Sequence, residues 1–448
     1  MKKAIGFFSL AAIALTFACT PQPVEKADIA FRPIRERAEI ISKLNTDRVN
    51  RLLLPAMRKH GIDCWIIMSR EFNKDFVQIY IEDNIENVPG GHRNAYLFYD
   101  DGSDTLRRVA LGTHLAHYSK LWDKSVSYHR GEGDNGPSLA PILKETIEEI
   151  DPKKIAVNQS RTIPMCDGLT VEMKKFLVDA IGPKYAARLV SAEPLIVDFL
   201  DTRMPEELQY FREASELSKF LHQDILSSDL ITPGETTIGD LRWHLLNRMD
   251  ELHLTTWYFN GLRVIREGEP ERLGAESTVI QPGDIINNDI GVIYMNFHTD
   301  FKGTGYVLKP GENEVPAGIK QAFANSLKVQ DAIFEVSRPG DIGYTIVAEA
   351  ENQCREWGIE GVVYCHSTGV PGHGIGASMC KNWPDRYGVR PTFPLRLGSY
   401  YAIESHAFSV IPEWDDQKIS IPTEEDAYLA EDGFVYVVPR QEEIWLIR

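Results

Sequence analysis

Gly372-His373-Gly374-Ile375-Gly376 sets an imidazole between glycines, with an apolar residue and a third glycine behind it. Glycines let the backbone pass close to whatever that imidazole holds. A lone histidine is more often structural than a ligand. This one gains weight from acids with ligand-like spacing on both sides: Asp289 and Asp300 before it, Glu404 and Glu424 after it.

Just upstream, Pro282-Gly283-Asp284 marks a turn, and residues 285–295 and 297–308 read as two strands around a tight turn. A turn centred near Tyr294–Met295 sets Asp289 directly opposite Asp300, on one face of the hairpin. Two carboxylates so placed raise one another's pKa unless a cation lies between them. A register shift would instead turn one of them to solvent. Downstream, Glu404 ends the apolar run Tyr400-Tyr401-Ala402-Ile403, and Glu424 sits in Ile421-Pro422-Thr423-Glu424-Glu425-Asp426. A buried glutamate is costly unless paired. Four carboxylates and one imidazole form a hard, oxygen-rich set. It suits two Mn²⁺, Co²⁺ or Zn²⁺ ions bridged by carboxylates and a water, not a structural zinc.

The rest of the chain gives these residues a setting. It has 448 residues, 43% apolar and 25% charged, the composition of a folded globular protein of two or three domains. A net charge of -17 argues against broad nucleic-acid binding. Met1-Lys2-Lys3 followed by the apolar run Ala4–Ala18 and Cys19 reads as a secretory signal over residues 1–19. The run is too short to span a bilayer, which takes about 20 residues. Cys19 after a small residue resembles a bacterial lipoprotein site, although Leu15 lies one place further upstream than usual. Lipidation of Cys19 would anchor the exported protein at a periplasmic or cell-surface membrane; simple secretion is the alternative. Residues 20–36 form a linker. The other cysteines show no C-x-x-C pair, so neither a zinc ribbon nor a disulfide framework is implied.

Residues 37–202 alternate helical and strand periodicity: a helix to Gly61, five short strands, and helices over 138–150 and 171–181. That is an α/β (α+β) domain with a mixed sheet. Gly131-Glu132-Gly133-Asp134-Asn135-Gly136 fits a dinucleotide loop in spelling, but the next strand ends in Asn158 rather than an acid, so a solvated turn is the better reading. Residues 203–448 form a second domain. In it Thr232-Pro233-Gly234 and Arg338-Pro339-Gly340 each join two amphipathic helices, and this echo suggests a pseudo-symmetric unit with a site between its halves.

Asp, eleven residues, Asp, then Gly-His-Gly-Ile-Gly, Ile-Glu, and a last Glu before an Asp-Gly turn: this order resembles the pita-bread metallopeptidases, which include Xaa-Pro aminopeptidases and prolidases. Residues 37–202 resemble the N-terminal domain those peptidases share with creatinases. The resemblance implies a C-terminal pita-bread catalytic domain with Asp289, Asp300, His373, Glu404 and Glu424 as ligands of two metal ions, Mn²⁺ first among them. Glu425 is the alternative to Glu424. It implies a metal-activated water that attacks a peptide carbonyl, with Glu404 relaying a proton, and a homodimer acting on peptide-like substrates. The family's second histidine falls at Cys380, followed by Lys381, and its arginine before the last glutamate falls at Pro422. His298, His366 and His406 are candidate replacements in substrate binding, and Trp257 and Arg263 are candidate pocket walls. A metal-free hydrolase, a lyase or small-molecule hydrolase on the same fold, and a binding protein without catalysis stay open beside the peptidase.

Overall fold

The computed structural model describes residues 32–82, 93–112, 121–127 and 138–448. The leader with Cys19, most of the linker, and the Gly131–Gly136 loop lie outside the described residues. Arg32–Arg448 forms one compact unit.

The N-terminal layer is a six-stranded mixed sheet. Its central strand, Cys64–Ser69, is buried on both faces, which its apolar sequence Cys-Trp-Ile-Ile-Met dictates. It runs antiparallel to Asn94–Tyr99 and parallel to Ile155–Val157. Helices Leu139–Ile150 and Val171–Ala186 set Leu143, Ile147, Met173 and Leu177 against Cys64, Ile66 and Met68 on one face. On the other face Trp65 meets Phe199 at 6.1 Å between ring centroids. Phe199 belongs to helix Glu193–Asp201, which with strand Leu189–Ser191 extends this layer beyond the elements read from sequence.

The C-terminal layers repeat one plan. Helix Leu208–Ile225 leads through Pro233-Gly234 into helix Ile238–Glu251, and helix Ala317–Val336 leads through Pro339-Gly340 into helix Gly343–Glu356. The two Pro-Gly turns make matching contacts. Gly234 donates its N–H to the Ile280 carbonyl at 2.7 Å, and Gly340 donates to Leu395 at 2.8 Å. Each half then supplies antiparallel sheet: Gly261–Ile265, Ile285–Ile290 and Phe301–Val307 from the first, and strands including Cys365–Ser367 and Tyr400–Ala402 from the second. The duplication legible in the Pro-Gly echo is therefore a duplication of hydrogen bonding as well. No helix among the described residues is long and apolar enough to cross a membrane.

One detail of register differs from the sequence reading. Met295 and Asn296 take positive φ (50° and 65°) and form the two-residue turn, with Tyr294 paired to Phe297. The turn is centred one residue later than expected, so every cross-strand partner moves by two. Asp289 faces Lys302 instead of Asp300. Because the shift is even, Asp300 still points to the same face.

The two layers are tied by Arg48. Its guanidinium donates to the Phe199 carbonyl at 2.7 Å and the Thr202 carbonyl at 2.9 Å, and pairs with the Glu207 carboxylate. Both charged side chains are only 3% exposed. Arg48→Ala would leave the buried Glu207 carboxylate without its cation, an effect of about 3–5 kcal/mol. Urea unfolding should show that loss; a change below about 1 kcal/mol would contradict the role given to the pair.

Candidate functional site

The hairpin delivers three charged side chains to one face. In a pleated strand residues two apart share a face, so Asp300 and Lys302 point the same way, and Asp289 stands across from Lys302. On the neighbouring strand the partner of Asp289 is Gly261, where an added Cβ would come within 3.2 Å of the Asp289 side chain. The second half meets this face through backbone: the Lys302 N–H donates to the Glu424 carbonyl at 3.1 Å. That bond brings the Glu424 side chain to Lys302 and Asp300. Glu404 arrives from the end of strand Tyr400–Ala402, held by the Tyr364 N–H on its carbonyl at 3.1 Å.

Lys302 is at the centre. Its Nζ lies 3.0 Å from Asp289 Oδ2, 3.0 Å from Glu404 Oε1, and in close contact with Glu424 Oε2. Three carboxylates surround the ammonium: Glu424 accepts its hydrogen bond, and Asp289 and Glu404 pair with it by charge. Burial works against its charge, but Glu404, Glu424, Asp289 and Asp300 outweigh that and hold the lysine pKa well above its ordinary value. Burial likewise opposes ionisation of Asp289, and Lys302 keeps its carboxyl below the usual range. Glu424 and Asp300, deeper in the protein, are pushed upward by burial, Glu424 also by the Asp300 charge and Asp300 by that of Asp289.

A second grouping lies beside the first. His366, in strand Cys365–Ser367, has Nε2 at 3.4 Å from Asp300 Oδ2 and 3.6 Å from Glu424 Oε1. Its Nδ1 reaches the Ser367 carbonyl at 3.2 Å, and since a carbonyl only accepts, Nδ1 carries the hydrogen in that bond. Burial disfavours the imidazolium, but Asp300 and Glu424 win and raise it to about 10. His366 Nε2 and Glu424 Oε1 are buried without a hydrogen-bond partner. His373 stands over this group at the exposed mouth, its ring 4.5 Å from that of His366 and 4.8 Å from that of Trp257. Asp300, His366 and His373 bring ligand atoms within 4.8 Å of one another.

These distances test the two-metal expectation. Lys302 Nζ takes the place between Asp289, Glu404 and Glu424 where one of two ions would lie. Beside it, Asp300, His366 and His373 could hold one ion. Around Zn²⁺, with N and O ligands near 2.0–2.1 Å, tetrahedral neighbours stand about 3.4 Å apart. The His366 Nε2 contacts match that spacing and are too long for good hydrogen bonds.

The remaining sequence candidates divide. Trp257 walls the site, donating its indole N–H to the Thr299 carbonyl at 2.9 Å. His298 is not a substrate group: it is buried, and its Nδ1 accepts the Gly372 N–H at 2.9 Å, bracing the glycine loop from behind. His406 lies in strand Ser405–Ile411 with its ring against Phe408, outside the ligand groupings. Arg263 is exposed and folds back on the Leu262 carbonyl at 3.0 Å, so it does not reach the cluster. Glu425 turns away to Lys219 and the Gln441 N–H. Cys380 is a buried thiol, and Pro422 gives its carbonyl to Asn287 at 2.9 Å.

Two residues at the centre were missed. Tyr258 places its hydroxyl 2.6 Å from Asp289 Oδ1 and 2.9 Å from Asp300 Oδ1, on a loop where periodicity gives no signal. Lys302 had a signal, its two-residue spacing from Asp300.

Comparison with known proteins identifies the family. The family model for metallopeptidase family M24 matches residues 209–432. The chain belongs to that family, which places it among the peptidases. The fold is similar to that of an X-Pro aminopeptidase from Thermotoga maritima (TM-score 0.64, 17% identity, 88% of this chain and 100% of that one). It is also similar to an Xaa-Pro dipeptidase from Bacillus anthracis (0.59, 16%, 91% and 100%) and a prolidase from Pyrococcus furiosus (0.54, 15%, 87% and 98%). No curated protein sequence is matched.

The glycine loop offers a check on this geometry. A Cβ on Gly372 would fall 2.2 Å from the Trp257 ring. Gly372→Ala should displace that ring, shift the tryptophan emission and cost about 1–3 kcal/mol on unfolding. An unchanged spectrum and stability would show that loop and indole are not in contact.

Proposed function

We propose that the chain hydrolyses an amide bond in short peptides, with Xaa-Pro bonds as the first candidates. The observation that carries the reading is the convergence of Asp289, Asp300, Glu404, Glu424, His366 and His373 from both halves of the C-terminal unit onto one mouth walled by Trp257. Asp289 and Glu404 are the solvent-facing acids, 32% and 26% exposed, while Asp300 and Glu424 form the floor.

In this reading the substrate lies in the mouth beside Trp257 and His373. Its carbonyl carbon faces Glu404, which accepts a proton as water adds, and the departing amine takes that proton as the C–N bond breaks. Tyr258 fixes Asp289 and Asp300 through its hydroxyl, and Lys302 keeps Asp289 ionised. A single divalent ion held by Asp300, Glu424, His366 and His373 would supply Lewis acidity at the carbonyl oxygen.

A second reading, an amide hydrolase of another small substrate, is favoured by Cys380 and Pro422. Neither offers a side chain that binds a peptide terminus. Xaa-Pro dipeptides and longer Xaa-Pro peptides, assayed beside Ala-Ala controls, separate the two. Preferential cleavage before proline supports the first reading, and Glu404→Gln should lower kcat about 10²–10⁴-fold. Equal or absent turnover of the proline peptides would shift the assignment to the second.

The proposal includes export, anchoring through Cys19 and a homodimer. The charged start, apolar run and cysteine of the leader support the first two. Radiolabelled fatty acid should enter the wild-type chain and not the Cys19→Ala variant; equal labelling would remove the anchor from the account.

A further inference from the structure

We propose that Lys302 is a built-in cation standing in place of one metal ion, so that this site holds a single divalent ion beside His366 instead of a pair. The inference rests on the family reading of the site but not on its substrate.

Three observations converge on it. The first is register. Lys302 pairs directly with Asp289 across the hairpin, and its backbone N–H is bonded to the Glu424 carbonyl. The pleat therefore aims the lysine stem into the cluster whatever its rotamer, and the side chain is 8% exposed. The second is stoichiometry of donors. One ammonium meets three carboxylates: it donates a hydrogen bond to Glu424 and forms ion pairs at 3.0 Å with Asp289 and Glu404. Nothing is left over for an ion there, and an ion placed there would confront a positive charge. The third is the contrast with the neighbouring group. There His366 Nε2 stands 3.4 and 3.6 Å from its carboxylates, and both it and Glu424 Oε1 are buried without a hydrogen-bond partner. Buried polar atoms are rarely left so. One half of the cluster is closed by the ammonium's contacts; the other half is spaced for a ligand.

The donor chemistry changes accordingly. A pair of ions shared among four carboxylates and one imidazole is an oxygen-rich site. A single ion held by Asp300, Glu424, His366 and His373 has two nitrogen and two oxygen donors, a set that suits Zn²⁺ better than Mn²⁺. His366, carried in the sequence reading as a substrate group, becomes a ligand.

The test is metal stoichiometry on the full chain. Stripped protein is dialysed against Zn²⁺ and, separately, Mn²⁺, and bound metal is counted by mass spectrometry. Wild type should hold about one Zn²⁺ per chain, more tightly than Mn²⁺, and His366→Ala should lose it. Lys302→Ala or Lys302→Met, which frees three carboxylates, should gain a second equivalent. Two ions in wild type, or none, overturns the proposal whether or not the variants fold. So does a Lys302 variant that folds and still holds only one. Peptide turnover is read separately, so failure of the peptidase reading would leave the ion count standing.

Discussion

The contact between the Lys302 ammonium and the carboxylates of Asp289, Glu404 and Glu424 is the constraint on which the site depends. Acids packed this closely cannot all ionise without a cation among them. Removing one partner from such a buried group leaves charge without compensation, which costs far more than the pair gains by forming. Lys302 sits in the first half of the C-terminal unit, and two of its three partners come from the second. The same interaction that holds Asp289 ionised also closes the two halves on each other.

The duplicated plan explains how the acids come to meet. Each half carries a helix, a Pro-Gly turn, a second helix and then antiparallel strands, with matching backbone bonds at Gly234 and Gly340. Each contributes two acids from those strands or their ends. The N-terminal layer supports the mouth from outside: Asp201, at the end of its last helix, receives the Arg396 guanidinium at 3.1 Å. A Cβ on Gly376 would come within 2.3 Å of Asp201, so the glycine motif packs directly against the N-terminal layer.

Much of this was legible in the sequence. The alternation of helices and strands, the Pro-Gly echo and the acids flanking the glycine motif all follow from residue type and spacing. The hairpin was read with its turn one residue early, because Met295 and Asn296 lack the glycine that marks such turns. That slip hid the central fact, since it paired Asp289 with Asp300 and left Lys302 unexamined. Counting by two from Asp300 would have found the lysine at once. His366 was undervalued for a different reason: it lies seven residues before His373 in the chain, and only the strand Cys365–Ser367 carries it beneath that ring. Tyr258 comes from a loop whose course no local pattern dictates.

The charge argument drawn from sequence asked for a cation between the acids, and it named metal because metal is the common solution. The chain supplies one such cation itself. A crystal structure of the Zn²⁺-loaded protein, with anomalous diffraction at the zinc edge, puts this to the most direct test. One anomalous peak beside His366 Nε2, with continuous lysine density between Asp289 and Glu404, is the predicted result. Two peaks, with the Lys302 side chain swung out of the cluster, would contradict it.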